Sequence, residues 1–222
     1  MWLQHYKLSE DEQKLLDMSK KDFDSYMMEN YADMFVNRHA KEGQTVIYPM
    51  NFGFEIGPGW RHILDDLCRR LKAIQDLTGV VCVFDQIKEK YGTARFYHHI
   101  ENKEEGIDKS IFDIIDCLVS HYEEYTDYVC EELGTNVDPN KKIQMGSWIY
   151  GMGIEGFEKW EREAHPESAE DRIKIAKEYL ESVEKRIDIK EKMYYFSMDE
   201  LKEVDKVVED IVEKRKARKD AV

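Results

Sequence analysis

No apolar run in this chain of 222 residues approaches the roughly 20 residues that a membrane-crossing helix needs. The first residues, Met1-Trp2-Leu3-Gln4-His5, lack the charged-then-apolar pattern of a secretory signal, so the expected location is the cytosol. Cations are also in deficit. Lys and Arg number 33 against 47 Asp and Glu, for a formal net charge of −14. That surplus repels nucleic-acid phosphates and anionic lipid, which disfavours direct nucleic-acid binding and points to proteins as partners. Cysteine is scarce, and Cys68, Cys82, Cys117 and Cys130 form no C-x-x-C pair. The spacing excludes the usual structural zinc site, and the apolar neighbours of each cysteine predict buried free thiols. No nucleophile elbow, H-E-x-x-H motif, paired-carboxylate cluster, internal repeat or low-complexity tract stands out. The sequence therefore assigns no catalytic residue, metal or cofactor, and a binding role is expected ahead of an enzymatic one.

What is present is enough apolar material for a sizeable core, 42% hydrophobic and 12% aromatic residues. Ser9 with Glu12 reads as a capping box opening a short helix, and Phe23, Met27, Tyr31, Met34 and Phe35 mark a second helix from about Asp22. Trp60, Ile63, Leu64, Leu67, Leu71 and Ile74 lie on one face of a third, with Asp65–Arg69 and Asp66–Arg70 pairs opposite. The run Val80 to Phe84, a turn at Tyr91-Gly92 and the segment Ala94 to Tyr97 predict a β-hairpin. A stripe from Ile111 to Val129 predicts a long helix ending at Gly134. Residues 135–166 read as an irregular, glycine-containing segment whose Trp148, Tyr150, Phe157 and Trp160 pin it to the core.

Two C-terminal helices, about 168–188 and 198–216, carry narrow stripes of Ile173, Ala176, Leu180, Val183 and Ile187, and of Leu201, Val204, Val208 and Ile211. Such stripes predict docking on the body or a homodimer through these helices. The fold class is α+β: a helix packed on a β-hairpin or small antiparallel sheet, surrounded by helices, with a C-terminal helical hairpin. The segments are 1–50, 51–134, 135–166 and 167–222.

The candidate ligand-binding residues gather at the hairpin, Lys88, Lys90, Arg95 and Tyr97, with Trp60 and Glu55 as further candidates. Cations beside aromatics suit a nucleotide or phosphate. Register decides the meaning. A two-residue turn at Tyr91-Gly92 sets Lys88 opposite Arg95, a like-charge pair needing an anion or Glu55 between them. A three-residue loop instead places Glu89 diagonal to Arg95, as an ordinary ion pair. Gly53, Gly57 and Gly59 precede a helix, yet their spacing is not that of a phosphate loop and reads as a tight approach that lets Trp60 pack. His98 and His99 alternate across a strand and cannot share one site. The basic run Lys214-Arg215-Lys216-Ala217-Arg218-Lys219 is what a helix C-terminus favours.

The stretch Gly53-Phe54-Glu55-Ile56-Gly57-Pro58-Gly59-Trp60, followed by Lys88-Glu89-Lys90-Tyr91-Gly92 and Arg95-Phe96-Tyr97, resembles a family of uncharacterised phage and prophage proteins. Those look like G-F-E-x-G-x-G-W, a helix, then K-E-K-F-G-x-L-R-F-Y, and the match covers about residues 50–134. Members continue with a C-E-x-C-G zinc knuckle; here Cys130-Glu131-Glu132-Leu133-Gly134 has Leu133 where the second thiolate would be, so the metal is not expected. The resemblance implies an accessory protein acting by binding a host or phage protein in the host cytosol. Its most concrete form is an anti-defence inhibitor of a nucleic-acid-handling protein such as a CRISPR effector. The alternative expectation is a protein that binds or sequesters a nucleotide, or an enzyme of unknown reaction.

Overall fold

A computed structural model describes residues 7–39, 47–102 and 109–193, with side chains as far as residue 185. The expected helix at 198–216 and the basic run from Lys214 to Lys219 lie outside the described residues. The chain divides into two units, 1–177 and 178–222. Among the described residues no helix is long and apolar enough to cross a membrane.

The first unit is α+β. Helices α1 (Glu10–Asp17) and α2 (Lys20–Tyr31) open it, each with a serine N-cap, Ser9 and Ser19. The α2 stripe is completed by a 3-10 turn, Ala32–Met34, so Met34 and Phe35 reach the core past the helix end. A two-residue strand β1 (Phe54–Glu55) leads through a 3-10 turn to α3 (Arg61–Thr78). Left-handed Gly79 turns the chain directly into β2 (Val80–Lys90), which folds back as β3 (Thr93–Asn102). The sheet order is β1-β2-β3, with β1 parallel and β3 antiparallel to β2.

An irregularity between Phe84 and Gln86 lets Val80, Cys82, Phe84 and Ile87 all take part in the core despite the odd spacing. Helix α3 packs on β2, and α4 (Ser110–Tyr125) packs on β3. At the centre Phe35 stacks on Phe84 at 5.4 Å and meets Phe54 edge-on at 5.1 Å, while Phe84 meets Phe96 at 6.3 Å.

Several expectations are corrected. Helix α4 stops at Tyr125, because Thr126 returns its hydroxyl to the Glu123 carbonyl and the chain straightens at Val129. Gly134 instead serves a reversal in which Cys130 N–H donates to the Thr135 carbonyl at 2.7 Å. The irregular segment contains a small hairpin, β4 (Gln144–Met145) and β5 (Trp148–Ile149), and a helix, α5 (Ile154–Ala164). Arg69 pairs with Asp66, since Asp65 is taken by the hydroxyls of Tyr26 and Tyr31 at 2.9 and 2.8 Å. All four thiols are free, but Cys117 is exposed, two residues from the buried positions Ile115 and Val119 on α4.

Helix α6 (Ala169–Met193) begins in the first unit, where Ile173 and Ala176 are buried, and carries on into the second. At the outer edge of the sheet, two amides of β3 are occupied by side chains. Ala94 N–H donates to Thr126 Oγ1 at 2.9 Å and Phe96 N–H to Glu123 Oε1 at 2.6 Å.

Candidate functional site

The glycine motif is shaped by the segment lying on it. A Cβ at Gly59 would stand 2.3 Å from the Cys130 carbonyl oxygen and the Gly134 nitrogen, so no larger residue fits. Gly59 N–H donates to the Glu131 carbonyl at 2.6 Å, Gly57 N–H to Glu131 Oε1 at 2.9 Å, and the Trp60 indole to the Val129 carbonyl at 2.7 Å. Glu131 N–H in turn reaches the Gly151 carbonyl at 2.7 Å. Residues 129–131 are thereby clamped between the motif and the strand segment near 150. The motif's amides serve this contact, and Trp60 is fully buried beneath it.

Around the clamp opens a cleft of about 580 Å³ whose lining includes Glu55, Glu89, Glu131 and Glu132. Trp148, Tyr150 and Trp160 also line it, and among the described residues Lys20 is its one lining cation. The aromatic wall is itself supported: Tyr150 lies 5.5 Å from Trp160 and 5.0 Å from Phe157, and its hydroxyl accepts from Arg172. Trp148 is 57% exposed.

Glu131 is nine-tenths buried, and among the described residues only the Gly57 amide donates to its carboxylate. Burial, reinforced by the charges of Glu89 and Glu132 and opposed by that amide and by Lys142, pushes its carboxyl up to about 7. Burial also raises Glu89, which accepts from the Gly92 amide at 2.7 Å. Glu132 is paired with Lys159. The cleft therefore offers carboxylates between aromatic faces, a setting that desolvates and holds a cation, and one carboxyl able to exchange a proton near neutrality.

The hairpin makes the two-residue turn, with Tyr91 at φ 56° and Gly92 at φ 79°, and Lys88 faces Arg95 directly. Glu123 lies 4.0 Å from Arg95, while Glu55, the β1 neighbour of Lys88 in register, accepts from Gln86 at 3.1 Å. Lys88 and Lys90 sit 5.4 Å over the rings of Tyr97 and Tyr91. The turn is docked rather than free. Buried Lys142 donates to the Gly92 carbonyl at 2.6 Å and to Asp127 at 2.7 Å.

Of the residues singled out from sequence, Glu55 lines the cleft and Trp60 supports it, while Lys88, Lys90, Arg95 and Tyr97 belong to the hairpin and are not among its lining residues. His98 and His99 go separate ways, to Asp116 and Asp85. Sequence reasoning did not single out Glu89, Glu131 and Glu132, and took the aromatics near 150 as core pins. The usable signal was the density of tryptophan and tyrosine in that segment. Among the described residues no group of three or more His, Cys, Asp or Glu side chains is placed to hold a metal ion. Cys130, where the knuckle's first thiolate would be, is buried, and burial pushes its thiol up.

Compared with family models, curated proteins and solved structures, the chain matches none.

Proposed function

We propose that this protein works by binding, and that its cleft takes a cationic side chain, arginine or lysine, presented by a protein partner. The carrying observation is the set of four glutamates, one of them nine-tenths buried, between Trp148, Tyr150 and Trp160. Arginine matches such a site twice, through charge-assisted hydrogen bonds to carboxylates and through stacking on aromatic faces. A net charge of −14 adds long-range attraction for basic surfaces. With the phage-family resemblance, this supports an accessory protein of the host cytosol that occupies the basic, phosphate-binding surface of a nucleic-acid-handling host protein, as an anti-defence inhibitor. Self-association through the C-terminal helices belongs to the same proposal.

Exposed Trp148 supplies the assay. Titration with a short arginine-rich peptide should change tryptophan fluorescence, and calorimetry, which needs no Trp148 reporter, should show Trp148→Ala together with Glu89→Gln weakening binding by about tenfold or more. In infected cells the wild-type chain should co-purify a host protein at low salt and depress a defence system, and that double variant should do neither. Binding that ignores the two substitutions, or defence left untouched by the wild type, overturns the reading.

A second reading, a nucleotide binder or sequestering protein or an enzyme acting on such a ligand, draws on Lys88 over the partly exposed Tyr97 ring with Arg95 alongside. A nucleotide panel in a thermal-shift assay tests it, since ligand at 100 times its Kd adds about 2.7 kcal/mol. Unchanged melting across the panel removes it.

A further inference from the structure

Next to the acidic cleft, and sharing Lys20, Phe54 and Ile56 with it, lies a second concavity of about 360 Å³. Its character is opposite. Among the described residues, Lys20, Lys21, Arg38 and Arg61 line it against a single carboxylate, Asp24. In a chain of net charge −14 such a local surplus of cations is set against the field of the whole molecule and calls for a reason.

Arg61 is the informative residue. It is 8% exposed, and its guanidinium stands 5.2 Å over the Phe23 ring. Its Nη1 donates to the carbonyls of Leu15 and Leu16, at 3.2 and 3.1 Å, and of Met18, at the end of α1. Its Nε and Nη2 donate to nothing among the described residues, and no carboxylate there forms an ion pair with it. The carbonyl end of α1 offsets part of its charge, and Nε and Nη2 remain open to an anion. Arg38 does not share this state, because it pairs with Asp24 and donates to the Asn51 carbonyl.

Lys20 and Lys21 are exposed at the first turn of α2, and among the described residues neither ammonium has an ion pair. Their own amides are the first two of the helix, which no helical carbonyl can accept. Asp22 in the same turn has its carboxylate on the Ser19 hydroxyl and is not among the lining residues. Among the described residues, three cations without ion-pair partners, one of them buried with Nε and Nη2 unbonded, converge with a helix start on one small space.

We propose that this concavity is a subsite for a single phosphate-type oxyanion carried by a small ligand. Arg61 supplies directional donors from the floor, and Lys20 and Lys21 close over the anion from the rim. The inference does not depend on the acidic cleft, whose ligand has the opposite charge.

The test is calorimetric titration of the full chain with inorganic phosphate and with pyrophosphate, at ionic strength fixed with chloride. Binding at millimolar Kd or tighter is expected, about −4 kcal/mol or better. Lys20→Gln with Lys21→Gln should weaken it by about tenfold. Both lysines are exposed, so circular dichroism should show an unchanged fold, while Glu131→Gln in the acidic cleft should leave phosphate binding intact. No heat up to about 20 mM phosphate, or affinity indifferent to the double substitution, overturns the proposal. Binding of a single-stranded oligonucleotide without binding of free phosphate also overturns it, in favour of a nucleic-acid surface.

Discussion

At the scale of single residues, Glu131 sets the sharpest expectation. Its carboxyl has an ordinary value of 4.5 and is raised to about 7 by the fold. Between those values the folded state holds a proton that the unfolded chain has lost. The corresponding stability is therefore fully present below the lower value and is lost as pH rises through the upper one, a loss of about 3 kcal/mol. Glu131→Gln keeps the Gly57 hydrogen bond and removes the titration, so urea melts should show the variant more stable than wild type at about pH 8 and nearly equal to it at about pH 5. Equal pH dependence in both proteins would refute this account of Glu131. The residue was illegible beforehand for a plain reason. Its partner Gly57 lies 74 positions away, and nothing local distinguishes Glu131 from the chain's many solvated glutamates. The glycines were legible, because their spacing already spoke against a phosphate loop and for a close approach, and the Gly59 contact shows what approaches.

Periodicity served the elements well where apolar residues form a stripe. The starts of α1, α3 and α4 and the hairpin turn stand where the pattern placed them. It failed where glycines mask a stripe or where pairing outruns one. Helix α5 does carry a period, with Ile154, Phe157, Trp160 and Ala164 stepping 3, 3 and 4, but Gly151, Gly153 and Gly156 around it made the segment read as irregular. Strand β2 runs six residues past Phe84 because β1 and the β3 pairing continue, not because its residues change character. The hairpin register could not be chosen from charge alone, since the carboxylate that pairs with Arg95, Glu123, and the strand neighbour of Lys88, Glu55, stand on other elements. Lys142, which ties the turn to the body, gives a prediction at this scale. Lys142→Met leaves the Gly92 carbonyl without its donor and Asp127 without its cation, and Asp127 is 39% exposed, so water recovers part of the loss. The expected change is about 1–2 kcal/mol of stability, with faster amide exchange confined to the turn. Uniform exchange across β2 and β3 would mean that the turn is not held by this lysine.

For the whole molecule, the two units make self-association testable. Light scattering should give a dimer for the full chain and a monomer for a chain ended after Lys177, where the first unit closes. A full-length monomer at micromolar concentration, or loss of folding on truncation, would transfer the C-terminal helices to an intramolecular role. Recognition of basic partners should weaken with salt, since surface fields are screened within about 8–10 Å at physiological ionic strength. One detail of the sheet constrains how the molecule can associate at all. Thr126 and Glu123 occupy the outward amides of Ala94 and Phe96, so along that stretch β3 has no donors left for the backbone of another chain. Growth of the sheet by adding strands, the common route to fibrils and to peptide capture at an edge, is closed there. Contacts in that region must be made by side chains, which makes partner choice a matter of charge and shape rather than of backbone.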